Sequence, residues 1–257
     1  MNEPVLQARE LSFAYEKKEV LKNVSLSVGQ GELLSIVGVN GSGKTTLLSL
    51  LSGFLSPKCG EVRLLGRALS RLSYRERAGA MAVVTQNQEH SFPFSCLELV
   101  LMGLHPQLGR FERVSAAQLD RARELMESTD VWRFADMPVT EISGGERQRV
   151  SLCRALMQEP KVLLLDEAMS ELDIAAKCAM MKLLKNRVEE TGLSVISVCH
   201  DLSSVLRDYK RVLALKDGAV AFDGAPEKVM TKEFFRSVFD IDAEVFADRG
   251  IIINDNI

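Results

Sequence analysis

The sequence has few of the features that mark secreted, membrane-spanning or nucleic-acid-binding proteins. Its five cysteines are scattered and form no Cys-x-x-Cys pair, so neither a disulfide framework nor a zinc site is indicated. No run approaches 18 uncharged apolar residues, so no membrane-spanning helix is expected. The 32 basic and 35 acidic residues give a net charge of −3, which lacks the electrostatic footprint of a nucleic-acid-binding protein.

The rest of the composition is ordinary for a globular protein. A hydrophobic fraction of 46% in 257 residues suits one large α/β domain or two small ones. The first residues, Met1 to Pro4, lack the basic-then-apolar layout of a signal peptide. Cys153, Cys178 and Cys199 stand in apolar periodic segments and are predicted to be small buried residues. Any link to a membrane is therefore expected to run through a partner protein.

Apolar runs bounded by glycine predict an α/β organisation with a helical segment in the middle. A buried strand is predicted at Leu33–Val37, followed by a helix from about Gly43 to Leu51, with Gly53 as the residue that stops it. From Gln86 to Gln158 the pattern is mostly helical, and Asp217-Gly218 predicts a two-residue hairpin. The other predicted strands are Val62–Leu65, Met81–Thr85, Val162–Leu165, Ser194–Cys199, Arg211–Leu215 and Ala219–Phe222.

Three helices have explicit start or stop signals. Ser115 is predicted to cap the first, and the second begins near Ser143 and stops before Pro160. Asp173 can cap the third, which is expected to end at Gly192. The first helix is predicted to carry Leu119, Ala122, Leu125 and Met126 on one face. The second is predicted to present Val150, Cys153, Leu156 and Met157 to the core.

A phosphate-binding loop stands between the strand at Leu33–Val37 and the helix that follows. Residues 38–45 fit the P-loop pattern G-x-x-x-x-G-K-[ST], in which backbone N–H groups and a helix N-terminus face the phosphates. Lys44 can reach the β- and γ-phosphates, and the Thr45 hydroxyl suits Mg²⁺. The residues predicted to bind nucleotide here are Gly38, Val39, Asn40, Gly41, Ser42, Gly43, Lys44, Thr45 and Thr46.

Two consecutive carboxylates, Asp166 and Glu167, end a later apolar run. Neighbouring side chains at a strand end diverge, so one can act on a metal through water while the other faces the attacking water. Asp166 fits the first role and Glu167 the second, as general base. Two exposed turn carboxylates are the alternative, but a P-loop in the same chain favours the catalytic interpretation.

A second glycine-rich element precedes that run. Residues 142–148 read Ile-Ser-Gly-Gly-Glu-Arg-Gln, which offers a hydroxyl and unhindered N–H groups at a helix start. A glycine-containing helix cap is a reasonable alternative for Ser-Gly-Gly alone, and a weak one for the whole motif in this position. One chain has no obvious use for two γ-phosphate sites.

The chain resembles the ABC-type ATPases over nearly its whole length, because it contains the P-loop, the element at 142–148 and the Asp-Glu strand end in this order. The resemblance implies an α/β, P-loop NTPase (RecA-like) core with an N-terminal antiparallel β subdomain and an inserted helical subdomain. We expect one ATPase domain over 1–230, with the helical subdomain at about 87–157, and a short extension over 231–257. The resemblance also implies that ATP and Mg²⁺ are ligands and that two chains pair head to tail. Each ATP would then lie between the P-loop of one chain and residues 142–148, the signature, of the other.

Single residues acquire roles through the resemblance. Tyr15 matches the aromatic residue that stacks on adenine, although a strand-packing tyrosine is the plainer interpretation of that residue alone. Gln86 matches the glutamine that links Mg²⁺ and attacking water to the helical segment, and His200 matches the switch histidine that contacts the γ-phosphate. The implied catalytic set is Glu167, His200, Gln86 and Lys44; the metal set is Thr45, Gln86 and Asp166; and the set acting in trans is Ser143, Gly144, Gly145, Glu146 and Asp173.

The loop that contains Asp173 departs from the family pattern. In that family the loop crosses to the partner domain, although Asp173 is equally consistent with a plain helix cap. Glu171 stands where a small residue is usual, and Cys199 replaces the usual threonine before the histidine. No departure removes a side chain that the resemblance makes catalytic.

Residues 92–111 narrow the resemblance to ATPases that serve bacterial iron–siderophore, haem and cobalamin importers, although Leu104 and Gln107 stand where arginine and histidine are expected. The implied partners are a second copy of the ATPase, integral membrane permease subunits and, indirectly, a substrate-binding protein, with no nucleic acid. The implied location is cytoplasmic, on the inner face of the cell membrane. A zinc or manganese importer ATPase and a soluble ABC assembly factor remain alternatives. ABC ATPases of DNA repair or translation carry coiled-coil insertions or fused domains, which the sequence lacks.

The segment after Gln86 is unusually apolar for a surface connection. It contains more apolar residues than the buried face of one helix requires, so some of them are predicted to form an exposed docking groove for a membrane subunit. Internal packing of the helical segment is the alternative. The residues concerned are Phe92, Phe94, Leu97, Val100, Leu101 and Met102.

Overall fold

The protein is described from a computed structural model that covers residues 3–86, 92–109, 111–246 and 250–253. The chain separates into two compact units, Met1–Arg71 with Ser194–Ile257 and Leu72–Leu193. The strands are β1 Leu6–Tyr15, β2 Lys18–Val28, β3 Leu33–Val37, β4 Cys59–Leu64, β5 Arg67–Ala68, β6 Met81–Val84, β7 Val162–Asp166, β8 Ser194–Val198, β9 Arg211–Lys216, β10 Ala219–Gly224, β11 Ala243–Phe246 and β12 Gly250–Ile253.

The α-helices are α1 Lys44–Ser52, α2 Tyr74–Ala80, α3 Cys96–Leu101, α4 Ala116–Ser128, α5 Gly144–Met157, α6 Ile174–Thr191, α7 Leu202–Asp208, α8 Pro226–Val229 and α9 Lys232–Phe234. Short 3-10 helices cover Leu69–Arg71, Met102–Leu104, Trp132–Phe134 and Val139–Glu141, and a π-helix covers Phe235–Phe239. Within the described residues, no helix is both long and apolar enough to cross a bilayer.

The first unit contains the N-terminal antiparallel sheet that was expected, in the order β2-β1-β4-β5. A second set of strands surrounds β3, which pairs in parallel with β8 on one side and β9 on the other. Every residue of β3 and β8 is buried, as continuous apolar strands of parallel sheets usually are. This arrangement places the segment after β3, the P-loop, at the carboxyl edge of central strands.

The predicted hairpin joins β9 to β10. Asp217 and Gly218 have φ values of 49° and 80°, the two positive values that a type I′ turn requires. Helix α1 likewise ends as predicted, because Gly53 adopts the left-handed conformation after Ser52.

The second unit contains the parallel pair β6 and β7 and the helices α2 to α6. Helix α5 buries its predicted face and ends at Met157, before Pro160. Helix α6 begins after Asp173 and ends at Gly192, also as predicted. The extents of the predicted ATPase domain, helical subdomain and C-terminal extension stay predictions.

The predicted apolar face of α4 is buried only in part. Leu119 is 42% exposed, because the buried stripe of α4 begins at Ala122 and the whole first turn of that helix is exposed or half-buried. One burial prediction is wrong. Cys178 is exposed, because the buried side of α6 consists of Met180, Met181 and Leu184. Cys153 is buried as predicted, and Cys199 is half-buried.

Candidate functional site

The P-loop adopts a backbone conformation that glycine accommodates best. Gly38, Gly41 and Gly43 have φ values of 150°, 80° and 104°. A Cβ atom on Gly38 would overlap the carbonyl oxygen of Leu215, and one on Gly43 would lie 2.7 Å from Leu21 Cδ2. Because β9 and β2 press on the loop in this way, side chains larger than hydrogen are excluded at both positions.

The polar groups of the loop fit a phosphate. Lys44 is 6% exposed, and its Nζ donates to the carbonyl oxygens of Gly38 at 2.9 Å and Val39 at 3.0 Å. Ser42 Oγ is buried and has no hydrogen-bond partner among the described residues. A buried hydroxyl without a partner costs about 1–3 kcal/mol, which a phosphate oxygen accepting its proton would offset. The loop therefore holds a positive charge and an uncompensated donor where a nucleotide phosphate is expected.

The two threonines in the first turn of α1 differ in exposure. Thr45 is exposed and is accessible to a metal ion, whereas Thr46 is 8% exposed. On the other side of the loop, Val39, Asn40 and Gly41 are exposed. The loop thus presents its middle residues and Thr45 outward while Ser42 and Lys44 lie inside.

Parallel pairing brings His200 to the same sheet edge. Val198 lies opposite Ile36, and the Cys199 N–H donates to the Ile36 carbonyl oxygen at 3.1 Å. His200 follows directly and is exposed, at the edge where β3 enters the P-loop. Asp201 then caps α7, with its Oδ1 accepting from two N–H groups of the first turn. The predicted histidine is therefore held between a buried strand and a capped helix.

The side-chain contacts directly after β8 were not predicted from the sequence. Cys199 Sγ lies 3.3 Å from Tyr209 Oη and 3.4 Å from Ser197 Oγ. Burial raises the pKa of the Tyr209 phenol well above its usual value, so the phenol stays protonated. The identity of Cys199 was noted, but its contact with a tyrosine ten residues later had no signal in the sequence.

Tyr15 lies at the end of β1 in the first unit. Its ring meets Phe13 edge-on, with centroids 4.9 Å apart and an interplanar angle of 84°. Half of its surface, 51%, remains exposed. Packing on Phe13 therefore orients the ring and leaves surface for a nucleotide base.

In the second unit, three predicted residues share the carboxyl edge of β6 and β7. Val84 pairs with Leu165, so Gln86 and Glu167 each follow two residues later at this edge. Asp166 ends β7 and is 9% exposed. Glu167 has a φ of 51°, a left-handed conformation that costs a non-glycine residue about 1–3 kcal/mol and concentrates at functional sites. The predicted base is thus held in an unusual backbone conformation at the strand edge that also carries Gln86 and Asp166.

The signature begins α5 with a capping box. The Ser143 hydroxyl and N–H donate to Glu146 Oε2 at 2.7 and 2.8 Å, and the Glu146 N–H donates to Ser143 Oγ at 3.4 Å. Hydrogen bonds from Ser143 lower the pKa of Glu146, so its carboxyl stays ionised at neutral pH. Gly144 and Gly145 form the first helical turn, whose N–H groups have no acceptor within a helix. This helix start can bind an anion.

The loop from Glu167 to Asp173 packs against this helix start. A Cβ atom on Gly144 would overlap Glu171 Oε2, and one on Gly145 would lie 3.3 Å from the Glu171 carbonyl oxygen. Asp173 caps α6, and its Oδ1 accepts from the Ala176 N–H at 2.8 Å. The cap is confirmed, and the contact of Asp173 with a partner's nucleotide stays a prediction.

The apolar segment is partly exposed. Phe92 and Phe94 are 67% and 40% exposed, and their rings lie 6.1 Å apart. Met102 is 40% exposed, whereas Val100 is fully buried in the helical packing. Residues 87–91, which join this segment to Gln86, lie outside the described residues.

Comparison with known proteins gives consistent similarities. The sequence profile of the family described as ABC transporter matches residues 21–170. The uncharacterized ABC transporter ATP-binding protein YvrA of Bacillus subtilis (strain 168) is 40% identical over 238 residues, 92% of this chain and 54% of that protein. The chain thus spans about half the length of YvrA.

Two further similarities extend over nearly the full length of the known protein. The hemin import ATP-binding protein HmuV of Rhodopseudomonas palustris (strain HaA2) is 40% identical over 251 residues, 95% of this chain and 93% of that protein. A solved dimeric structure of MJ0796, a bacterial ABC transporter cassette, is similar with a TM-score of 0.77 and 30% identity, covering 86% of this chain and 98% of that one. These similarities agree with the resemblance drawn from the motifs.

Proposed function

The chain belongs to the ABC transporter family and is an ABC-type ATPase, and from this premise we propose that it powers an importer for an iron complex. The ATP-driven pairing of two chains that would power transport is supported by the presence of two different anion-binding helix starts in one chain. The P-loop at α1 has an inward-facing lysine and an uncompensated serine hydroxyl, and the signature at α5 has a serine and two glycines. One ATP needs one of each, so two chains pairing head to tail would complete two ATP sites.

In the proposed reaction, ATP is the substrate and each predicted residue acts on a defined part of it. Lys44 and Ser42 bind the phosphates, and Tyr15 stacks on the base. Glu167 accepts the proton of the attacking water, and His200 holds the γ-phosphate. Thr45, Gln86 and Asp166 would hold Mg²⁺, which supplies neutralisation of phosphate charge when bound.

The cargo proposal rests on similarity. HmuV is named for hemin import, and residues 92–111 resemble ATPases of iron–siderophore, haem and cobalamin importers. A zinc or manganese importer and a soluble assembly factor are the competing functions.

Isolation of the native complex tests this choice. The tagged chain is purified from mildly solubilised membranes, and its partners are identified. A multi-span membrane protein is expected, and after reconstitution in vesicles it should raise ATP hydrolysis when the binding protein carries haem or a ferric siderophore. A soluble scaffold as the sole partner would favour the assembly factor, and stimulation by zinc or manganese alone would favour a metal-ion importer.

Docking to the membrane subunit can be tested at the exposed aromatic pair. We expect Phe92→Asp and Phe94→Asp to weaken capture of the membrane subunit, because a charge replaces apolar contact area, while ATP hydrolysis by the isolated chain stays near normal. Phe246→Asp, at a residue that is 65% exposed in β11, is the matched control. Capture equal to the unmodified chain in both phenylalanine variants would place docking elsewhere.

A further inference from the structure

Glu171 brings a carboxylate to the start of the signature helix. Its Oε2 would overlap a Cβ atom on Gly144, and its carbonyl oxygen lies 3.3 Å from the Cβ position of Gly145. Both glycines belong to the first turn of α5, a helix of 14 residues. The side chain that departs from the family pattern therefore lies where the signature is expected to meet a partner's phosphate.

The backbone around Glu171 is fixed on both sides. Leu172 is 7% exposed, and its Cδ2 lies 3.5 Å from the Cβ position of Gly145. Asp173 caps α6, and the Ser170 N–H donates to the Glu167 carbonyl oxygen at 3.0 Å. The Glu171 side chain itself is exposed, so its far end can move while the loop stays in place.

The electrostatics of the helix start favour an anion there. The aligned peptide dipoles give the first turn of a helix a partial positive charge, which attracts a carboxylate or a phosphate. Glu146 already holds the Ser143 hydroxyl at 2.7 Å. A phosphate that arrives at this helix start therefore meets a Ser143 hydroxyl that already donates to Glu146. It also meets the Glu171 carboxylate, which is negatively charged like the phosphate.

We propose that Glu171 is an internal competitor for the γ-phosphate of a partner's ATP at the signature. The proposal rests on the head-to-tail pairing proposed above. Until the phosphate of a partner's ATP arrives, the Glu171 carboxylate stands beside the start of α5, where its negative charge opposes closure of the two chains. Glu171 therefore raises the ATP concentration at which the dimer forms, without acting on nucleotide binding by the P-loop of its own chain.

The test measures the ATP-dependent dimer directly. In a Glu167→Gln background, which prevents turnover, Glu171→Gln and Glu171→Ala are compared by sedimentation velocity over a series of Mg·ATP concentrations. A charge at a helix start changes an equilibrium about two- to fivefold, and the dimer contains two such sites. The dimer dissociation constant should fall about 4- to 25-fold in both variants, and the difference should shrink at high salt.

Two controls separate the outcomes. Glu190→Gln removes another exposed carboxylate, at the far end of α6, and should leave dimerisation unchanged. Binding of a fluorescent ATP analogue to the dilute monomer should also be unchanged in the Glu171 variants. Altered monomer affinity, or dimerisation equal to or weaker than the Glu167→Gln parent, overturns the competitor role. If parent and Glu171 variants all stay monomeric, both this role and the head-to-tail pairing fail; if only the parent stays monomeric, Glu171 is what opposes pairing.

Discussion

The two glycine-rich helix starts use the same residue type for opposite reasons. In the P-loop, Gly38 and Gly43 have positive φ angles and lie against atoms of β9 and β2. In the signature, Gly144 and Gly145 are helical, and their neighbours belong to a surface loop. The P-loop glycines shape the backbone of a fixed site, whereas the signature glycines leave room at a site whose occupant can change.

The largest effect is expected at Lys44, which is predicted to act in nucleotide binding and not in the pairing of two chains. Lys44→Ala removes the ammonium from the P-loop, so we expect ATP hydrolysis to fall by about 10²–10³-fold or more, with loss of nucleotide binding by the monomer. Isothermal titration with ATP and a phosphate-release assay measure the two effects. Lys228→Ala, at an exposed lysine in α8, should behave like the unmodified chain. Hydrolysis near normal in the Lys44 variant would contradict the P-loop assignment.

Alanine substitutions should affect the two pairs of glycines differently. Gly38→Ala should lower the free energy of unfolding by about 2 kcal/mol or more, because the new Cβ atom meets a carbonyl oxygen at an unfavourable φ. Gly144→Ala should change it by less than about 0.5 kcal/mol, because only the flexible end of Glu171 must move. Urea unfolding measures both, and equal losses would show that the two sites are equally rigid.

A smaller effect is expected at the buried serine of the P-loop. Ser42→Ala removes a hydroxyl without a partner, so the chain without nucleotide should become about 1 kcal/mol more stable. The same change should weaken ATP binding. Ser35→Ala is the matched control, since Ser35 Oγ in β3 is also buried and lacks a partner among the described residues. Both variants should raise the melting temperature, and only Ser42→Ala should reduce the further rise caused by ATP; equal responses would exclude phosphate binding by Ser42.

Much of the fold follows from local signals in the sequence. Gly53, Gly192 and the caps Ser115 and Asp173 mark helix ends through backbone conformation and hydrogen bonding, which depend on few neighbours. The exposure of Cys178 was predicted wrongly, because burial of a helical position depends on whether another element covers it.

The candidate site likewise has some features that local sequence signals predict and others that depend on tertiary packing. The P-loop conformation and the strand-end position of Asp166 follow from motif and strand pattern. The left-handed conformation of Glu167 and the approach of Glu171 to Gly144 arise from tertiary packing of a loop, which no local pattern encodes.

The signature is proposed to serve the ATP of a second chain. The direct measurement is size-exclusion chromatography with light scattering on Glu167→Gln, with and without Mg·ATP, beside the same variant carrying Ser143→Arg. We expect an ATP-dependent dimer for Glu167→Gln and a monomer for the double variant, because arginine blocks the start of α5 while the P-loop still binds nucleotide. A dimer that persists with Ser143→Arg would contradict head-to-tail pairing, and so would a Glu167→Gln chain that stays monomeric at saturating ATP even when it also carries Glu171→Gln.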